Sequence, residues 1–548
     1  MLQCSGNIIL SKIREGKMVK YLKEFKFENF MVFLLITIDI ALAVLSSVFL
    51  ANVLNSLIAR EMNQFFLWLA IDIVLWVVDS FVQGARDVWK EIAIQKQLNA
   101  VRRDIIEPLT EISYSDFEKN SKEDYNSWLN NDTKLLYDNG FHQIYFVYTG
   151  IVAMLFSGIA IIFFHWVLLL TTLLVGAILF YFPKIFKKSV ERDTEQVSDV
   201  ANDALATSTD YLRGYEVLYH NKQLGLMQER TMGKFNQLAT ANVKLIFTRA
   251  WMQYSLLGAS MLGQFLILAV AGFLIMNGQI GIGVVMSVGN LSGTVTNYSK
   301  SVANSLILLN ATGKLLEKYG KIADESKVTD GEEVTDFESK LELKNLSVAF
   351  PDGQKIEYPE IVIEKGKKYA IIGDSGSGKS TLINLLVGNK RDYEGEILLD
   401  GKDYKGINRK SLPHVMSVIM QFPYLFRETV EENLTLGRKI SPDIFDKSIR
   451  IACADDFVFN KLDTIYDKNL SGGQQERLSV ARELMGTKPI LVMDESTASV
   501  DKKTALAVEK NILENPDLTV IMITHHLYDE TQNYLDEVIH LDTVNNYV

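Results

Sequence analysis

The sequence predicts a chain in two parts, an α-helical membrane half followed by an α/β half built on a phosphate-binding loop. Three observations predict it. Long apolar runs occur only before about residue 310, and charge is dense after it. Residues 373–380 read GDSGSGKS, between a short apolar run and a helical run. Beyond residue 340, short β-rich runs alternate with helical ones.

The chain has 548 residues, enough for two or more domains. Its mean hydropathy is +0.09, high for a chain with 22% charged residues, and the uneven apolar runs account for it. A net charge of −11 argues against nucleic acid as a partner. The two cysteines, Cys4 and Cys453, fall one in each half, so neither a disulfide framework nor zinc-ligand spacing is present. Nearly thirty polar and basic residues precede the first apolar run, so no cleavable signal peptide is expected.

The membrane half is placed at 1–317. Six apolar segments are long enough to span, near 29–51, 65–85, 141–163, 166–183, 251–276 and 280–309. Buried soluble helices could mimic one such segment, but not six in order. The second and sixth are the least clean, because they carry acids and amides. Lys12, Arg14, Lys17, Lys20, Lys23 and Lys26 crowd the N-terminus, while the short connections hold only Arg60. The excess of positive charge on the cytoplasmic side then places the N-terminus, the long connections 86–140 and 184–250, and the second half in the cytosol. The long connections are helical in pattern, so spanning helices are expected to continue into the cytosol and turn there.

Polar groups inside the spans have two readings. Asp72, Trp76 and Asp79 fall at i, i+4 and i+7, on one helical face, and Asp39 sits in the middle of the first segment. Such acids either pair structurally, for instance with Arg86, or line a substrate path. Asn290, Asn297 and Asn304 recur every seven residues, with Ser287, Thr294 and Ser301 close by. This stripe suits helix–helix hydrogen bonding or, the reading preferred here, the wall of a water-filled cavity.

A charged linker is expected at 318–340 and a nucleotide-binding domain at 341–548. The run 373–380 fits G-x-x-x-x-G-K-S, after the strand-like 369–372 and before a helix start. Gly373, Gly376 and Gly378 let the backbone wrap closely, so that N–H groups, with those of Ser375, Ser377 and Thr381, can face phosphates at a helix N-terminus. Lys379 reaches the β- and γ-phosphates, and the Ser380 hydroxyl can ligate Mg²⁺.

Four further motifs follow. Residues 470–474 read LSGGQ, where Ser471 can cap a helix and Gly472 and Gly473 allow close approach ahead of Gln474. Residues 490–495 read ILVMDE, a buried strand that ends in Asp494, suited to hold Mg²⁺ through water, and Glu495, suited to orient or deprotonate the attacking water. His525 follows the strand 519–523 and can contact the γ-phosphate. Gln421 follows 418–420, placed to sense Mg²⁺ and water. Each alone has a plainer reading: a helix-start turn, a solvated strand end, a structural histidine. Their order and spacing argue against coincidence.

These residues make the chain resemble an ATP-binding cassette (ABC) transporter of the exporter type, over roughly residues 20–545. The resemblance implies an α-helical membrane domain of six transmembrane helices with long cytoplasmic extensions. It also implies an α/β P-loop ATPase domain with an antiparallel β-subdomain and a helical subdomain. It implies ATP and Mg²⁺ as cofactors, and a dimer that sandwiches two ATP molecules, LSGGQ of one chain completing the other chain's site. Carried over by position, Phe350 stacks on adenine, Gln421 is the Q-loop, Asp501 the D-loop and His525 the switch histidine. Residues 116–132 and 211–221 resemble the two intracellular loops that dock on the cassettes. A homodimer is expected, because every catalytic group is present; a heterodimer with a degenerate chain is the other option. The implied function is ATP-driven export of a peptide, drug-like or lipid-like compound across the cytoplasmic membrane of a bacterium, with membrane lipid as the surroundings. Import on the same membrane fold and a regulatory or non-transporting ATPase are the alternatives.

The sequence also departs from the family. Residues 463–469 lack a Gly-Glu-Arg-Gly element, Ser496 follows Glu495 where Ala or Pro is usual, and Phe350 stands where Tyr is commoner. The usual C-terminal helices are expected to be short or missing. No peptidase domain is expected before the spans.

Overall fold

A computed structural model describes residues 18–325, 331–350, 354–374, 376–466, 469–525, 527–541 and 546–547. Two compact units emerge. One comprises 1–107 and 122–322, the other 108–121 and 323–548, within those limits.

The first unit is helical. Its main helices are α1 (Met18–Glu24), α2 (Lys26–Ile58), α3 (Met62–Leu109), α4 (His142–Phe164), α5 (Trp166–Tyr181), α6 (Lys187–Arg213), α7 (Leu224–Met276) and α8 (Val284–Glu325). At 53 residues α7 extends about 80 Å, far more than a hydrocarbon core of about 30 Å requires. Among the described residues five helical stretches are long and apolar enough to cross a membrane: α2, α3, Lys122–Phe164, Trp166–Ile185 and α7. The sixth expected segment lies largely on α8, where Ser, Thr and Asn dilute the hydropathy. The charged stretch expected as a linker continues α8 as far as Glu325, and 326–330 lie outside the described residues.

Apolar packing holds this unit around Ile161, Leu168, Val175, Ile267, Leu291 and Val295, drawn from α4, α5, α7 and α8. Large apolar side chains such as Phe81, Phe163, Leu262 and Phe265 point outward, as lipid-facing helices require. Polar side chains also bind helices to one another. Gln97 on α3 donates to Asn29 on α2 and to Tyr145 on α4, each at 2.9 Å, and Tyr145 also donates to Asn29. All three are buried, and a hydrogen bond between helices in an apolar setting contributes about 0.6–2 kcal/mol.

The second unit carries two sheets. One is parallel, in the order β10 (Glu537–Leu541), β4 (Lys368–Gly373), β9 (Thr519–Thr524), β8 (Ile490–Asp494), β7 (Met416–Ile419). Four residues of β8 and five of β9 are fully buried, because apolar clusters cover both faces of the sheet. The other sheet is antiparallel in its strand pairs, in the order β11 (Asn546–Tyr547), β2 (Gln354–Glu357), β1 (Lys340–Ala349), β5 (Glu394–Leu399), β6 (Lys402–Asp403), with β3 (Ile361–Glu364) paired to β1. Helices Val430–Thr435, Pro442–Ile451 and α10 (Gly472–Leu484) form the helical part, and α9 (Lys379–Leu386) and α11 (Lys502–Leu513) pack on the parallel sheet. The α/β half with an antiparallel part and a helical part, expected from the sequence, is what the chain adopts.

Segment 108–121 groups with this second unit. Within it Ser113 caps a four-residue helix by accepting the Asp116 amide, and Asp116 also lies 3.9 Å from the Arg391 guanidinium. Sequence 116–132, read as one loop, is therefore divided between the two units.

A candidate ATP site in the second unit

Parallel strands place their carboxyl ends together, and four of the expected residues converge there. Lys379 opens α9 after β4, Gln421 follows β7, Glu495 follows β8 and His525 follows β9. The Gln421 amide donates to one Glu495 carboxylate oxygen at 2.7 Å, and His525 Nε2 meets the other at 3.0 Å. The Lys379 ammonium lies 3.3 Å from His525 Nδ1.

Lys379 is 7% exposed and curls back to donate to the carbonyls of Gly373 and Asp374, at 2.7 and 2.9 Å. Burial pushes its ammonium down, against the pull of Glu495, Asp374 and Asp494. An anion in the loop is the natural partner for that charge. Asp494 is shifted up, first by burial and then by the neighbouring Glu495. A divalent cation would relieve both carboxylates, and with the exposed Ser380 hydroxyl this is a sparse donor set of the kind Mg²⁺ shares with substrate phosphates. Among the described residues the buried Ser377 hydroxyl has no hydrogen-bond partner, so the loop holds unsatisfied polar capacity. The residues present fit a magnesium nucleotide.

Two backbone features hold the site. Gly378 has φ +89°, and a Cβ there would come within 2.9 Å of the Tyr358 hydroxyl, so only glycine fits. Glu495 adopts φ +45°, a left-handed conformation that costs a non-glycine residue about 1–3 kcal/mol. Its amide donates to the Ile523 carbonyl at 3.0 Å, which pins the turn.

The signature residues form their own structure. Ser471 accepts the Gln474 amide at 3.3 Å and Gln474 accepts the Ser471 amide at 3.0 Å, a capping box at the start of α10. A Cβ on Gly473 would lie 3.0 Å from the Ser499 carbonyl, while Gly472 faces the Ser499 side chain. Asp501 caps α11 by accepting the Thr504 amide at 3.1 Å. Among the described residues no hydrogen bond or ion pair joins 471–474 to the phosphate loop. Phe350 is half-buried at the end of β1 with the Lys390 ammonium 5.3 Å from its ring centre. Gly376 is exposed and Thr381 half-buried, whereas Ser375 lies outside the described residues.

Three supporting residues escape a motif search. The buried Tyr358 hydroxyl donates to the Gly378 carbonyl at 3.0 Å. Both Glu476 oxygens accept the Ser499 amide at 3.0 Å. Buried Glu509 accepts from the hydroxyls of Thr497 and Thr531, at 2.9 and 2.7 Å. The Gln475-Glu476 pair directly after LSGGQ could have marked Glu476. Tyr358 and Glu509 carry no sequence signal, because their partners are distant.

The expected membrane residues separate. Asp39 is buried and paired with Arg86. Asp79 is buried too and accepts from Gln83 at 2.8 Å. Asp72 accepts from Ser46 at 2.6 Å and, with the exposed Trp76, lines a shallow groove of about 230 Å³. Asn290, Asn297 and Asn304 share one exposed face of α8, but Ser287 is buried on another, its hydroxyl without a partner among the described residues.

Comparison with known proteins agrees with this geometry. Residues 29–298 match the family model of the ABC transporter transmembrane region, and 358–498 match that of the ABC transporter. The chain is 29% identical over 297 residues to a beta-(1→2)glucan export ATP-binding/permease protein of Rhizobium meliloti, covering 52% of this chain and 50% of the relative. It is 31% identical over 225 residues to an ATP-dependent lipid A-core flippase of Francisella novicida, covering 39% and 38%. The chain thus spans about half the length, or less, of the curated relatives it matches. With a transmembrane region ahead of an ATP-binding cassette in one polypeptide, it belongs to the ABC transporters of the exporter type.

Proposed function

We propose that two copies of this chain form an ATP-driven exporter. The observation that carries the reading is the meeting of Lys379, Gln421, Glu495 and His525 at one end of the parallel sheet. Lys379 and the phosphate-loop amides hold the phosphates. Glu495, kept in place by Gln421 and His525, orients the attacking water and accepts its proton. Mg²⁺ would be held by Ser380, Gln421 and Asp494 and would supply charge neutralisation at the transferred phosphate. Ser471 and Gln474 bond to each other, which leaves 471–474 available to the γ-phosphate held by the second chain. Asp501 follows the Ser499 turn that Gly472 and Gly473 face, and Phe350 stacks on adenine.

Positive charge at the N-terminus supports a cytoplasmic cassette, and α8 serves as the sixth span, its Asn290, Asn297 and Asn304 facing a polar cavity. The relatives' names carry a glucan and a lipid A core, which supports a large amphipathic cargo. Asp72 and Trp76 suit the polar edge of such a molecule. Inside-out vesicles containing the chain should accumulate a fluorescent lipid or amphipathic peptide when ATP is added. Uptake by whole cells without vesicle accumulation would replace export with import.

A further inference from the structure

The first unit contains a charge arrangement that the ATP reading does not use. Asp39 on α2 and Asp79 on α3 are both buried, 3% and 6% exposed. Arg86 bonds Asp39 through one terminal nitrogen. Its other terminal nitrogen and Nε lie 3.2 Å from Asp87, which also pairs with Lys90 at 3.0 Å. The guanidinium is thereby divided between Asp39 and Asp87. Asp79 accepts from Gln83 through Oδ2, whereas Oδ1 is buried with no hydrogen-bond donor among the described residues. Besides Gln83, the Asp39 carboxyl lies within hydrogen-bonding reach of Asp79, and it is another acceptor when ionised.

Two ionised carboxylates in contact, one with an orphaned oxygen, are a costly arrangement in a water-poor interior. One proton resolves it, by turning the orphan acceptor into a donor. We propose that Asp39 and Asp79 bind one proton between them, forming a proton site inside the membrane unit. Asp39 remains the acceptor for Arg86, and the proton, taken from solvent, resides on Asp79. The other ionisable groups nearby are Arg86, Asp87 and Lys90 on α3 and Tyr298 on α8, which faces Asp39 and Arg86. His142 on α4 faces Lys90 and Asp87. Arg86 also acts on Asp79, but its bonds go to Asp39 and Asp87, and among the described residues no ion pair joins a cation to Asp79.

The site is independent of the nucleotide, so its test uses nucleotide-free protein. The full chain reconstituted in lipid nanodiscs is titrated with pH and followed by infrared difference spectroscopy. Wild type should show the carbonyl stretch of a protonated carboxyl at neutral pH. The band should be lost in Asp79→Asn and kept in Asp72→Asn. No such band in wild type, or a band unchanged in Asp79→Asn, overturns the proposal. Thermal unfolding gives a second reading. Because the proton-bound form is the folded one, wild-type stability should fall as pH rises through the site's titration, and Asp79→Asn should flatten that slope without loss at neutral pH. A large loss of stability in Asp79→Asn at neutral pH would mean that the fold needs the charge, and overturns the proposal. Failure of that variant to fold counts as the same loss and overturns the proposal.

Discussion

The Glu476 carboxylate receives the Ser499 amide on both oxygens at 3.0 Å, which ties the start of the signature helix to the turn before α11. Glu476 is 4% exposed, so its carboxylate is shielded from solvent although Ser499 itself is exposed. Gly473 lies against the same turn, and a side chain there would push the two apart. The segment 471–476 and the turn 499–501 are therefore tied to each other.

Replacing Glu476 with alanine leaves the Ser499 amide without an acceptor, at about 1–3 kcal/mol. The variant should bind ATP at its own phosphate loop yet lose most turnover. Glu476→Gln, which keeps one acceptor oxygen, should recover part of it. Phosphate release and fluorescent-nucleotide titration, measured together, check this split between binding and turnover.

Glu495→Gln keeps the size and hydrogen-bonding shape of the side chain but removes the base. General-base catalysis is worth about 100-fold to 10,000-fold, and turnover should drop within that range. Binding should survive, so ATP should trap a stable closed dimer. Light scattering of the detergent-solubilised variant with and without ATP measures it, and turnover at the wild-type rate would remove Glu495 from the role of base.

Tyr358→Phe removes the hydroxyl that holds the Gly378 carbonyl. A single neutral hydrogen bond contributes about 1 kcal/mol, so nucleotide affinity should weaken about fivefold as the loop loosens. The comparison of dissociation constants is direct, since Tyr358 sits behind the loop.

Asp400 ties the turn between β5 and β6 to the start of β1. It accepts the amides of Glu338, Ser339 and Lys340 at 2.7, 2.7 and 2.9 Å, and the Ser339 hydroxyl at 2.9 Å. Burial pushes its carboxyl up, but these bonds outweigh burial and hold it below the usual range. A depressed folded-state pKa means a stabilising contribution that is present above the unfolded value, near about 3.9, and lost as pH falls through the folded one. Asp400→Asn should therefore lower the unfolding temperature at neutral pH, and the gap should close in strong acid. Thermal unfolding of the two proteins across that range tests the sign.

The phosphate loop, the signature and the Asp494–Glu495 pair were legible in the sequence because each is a contiguous run with a local physical signature. Lys379, Gln421, Glu495 and His525 were named from separate strand ends, and the parallel sheet brings them within hydrogen-bonding distance. The membrane polar residues were legible only as residue types. Helical spacing put Asp72, Trp76 and Asp79 on one face, but an arc that wide runs from lipid to interior, and packing turned Asp79 inward and Trp76 outward. The span on α8 was harder still, since the amides that suit a cavity wall lower its hydropathy.

By itself the sequence determined the two-part architecture, the nucleotide chemistry and the order of its motifs, because those follow from periodicity and short runs. Tertiary structure alone decided that Glu476 receives the D-loop amide, that Tyr358 braces Gly378 and that Asp39 pairs with Arg86 while Asp79 keeps an oxygen without a donor. Each of these joins residues that are distant along the chain or on different helices. Such pairings depend on strand order and helix rotation, which local propensity does not specify.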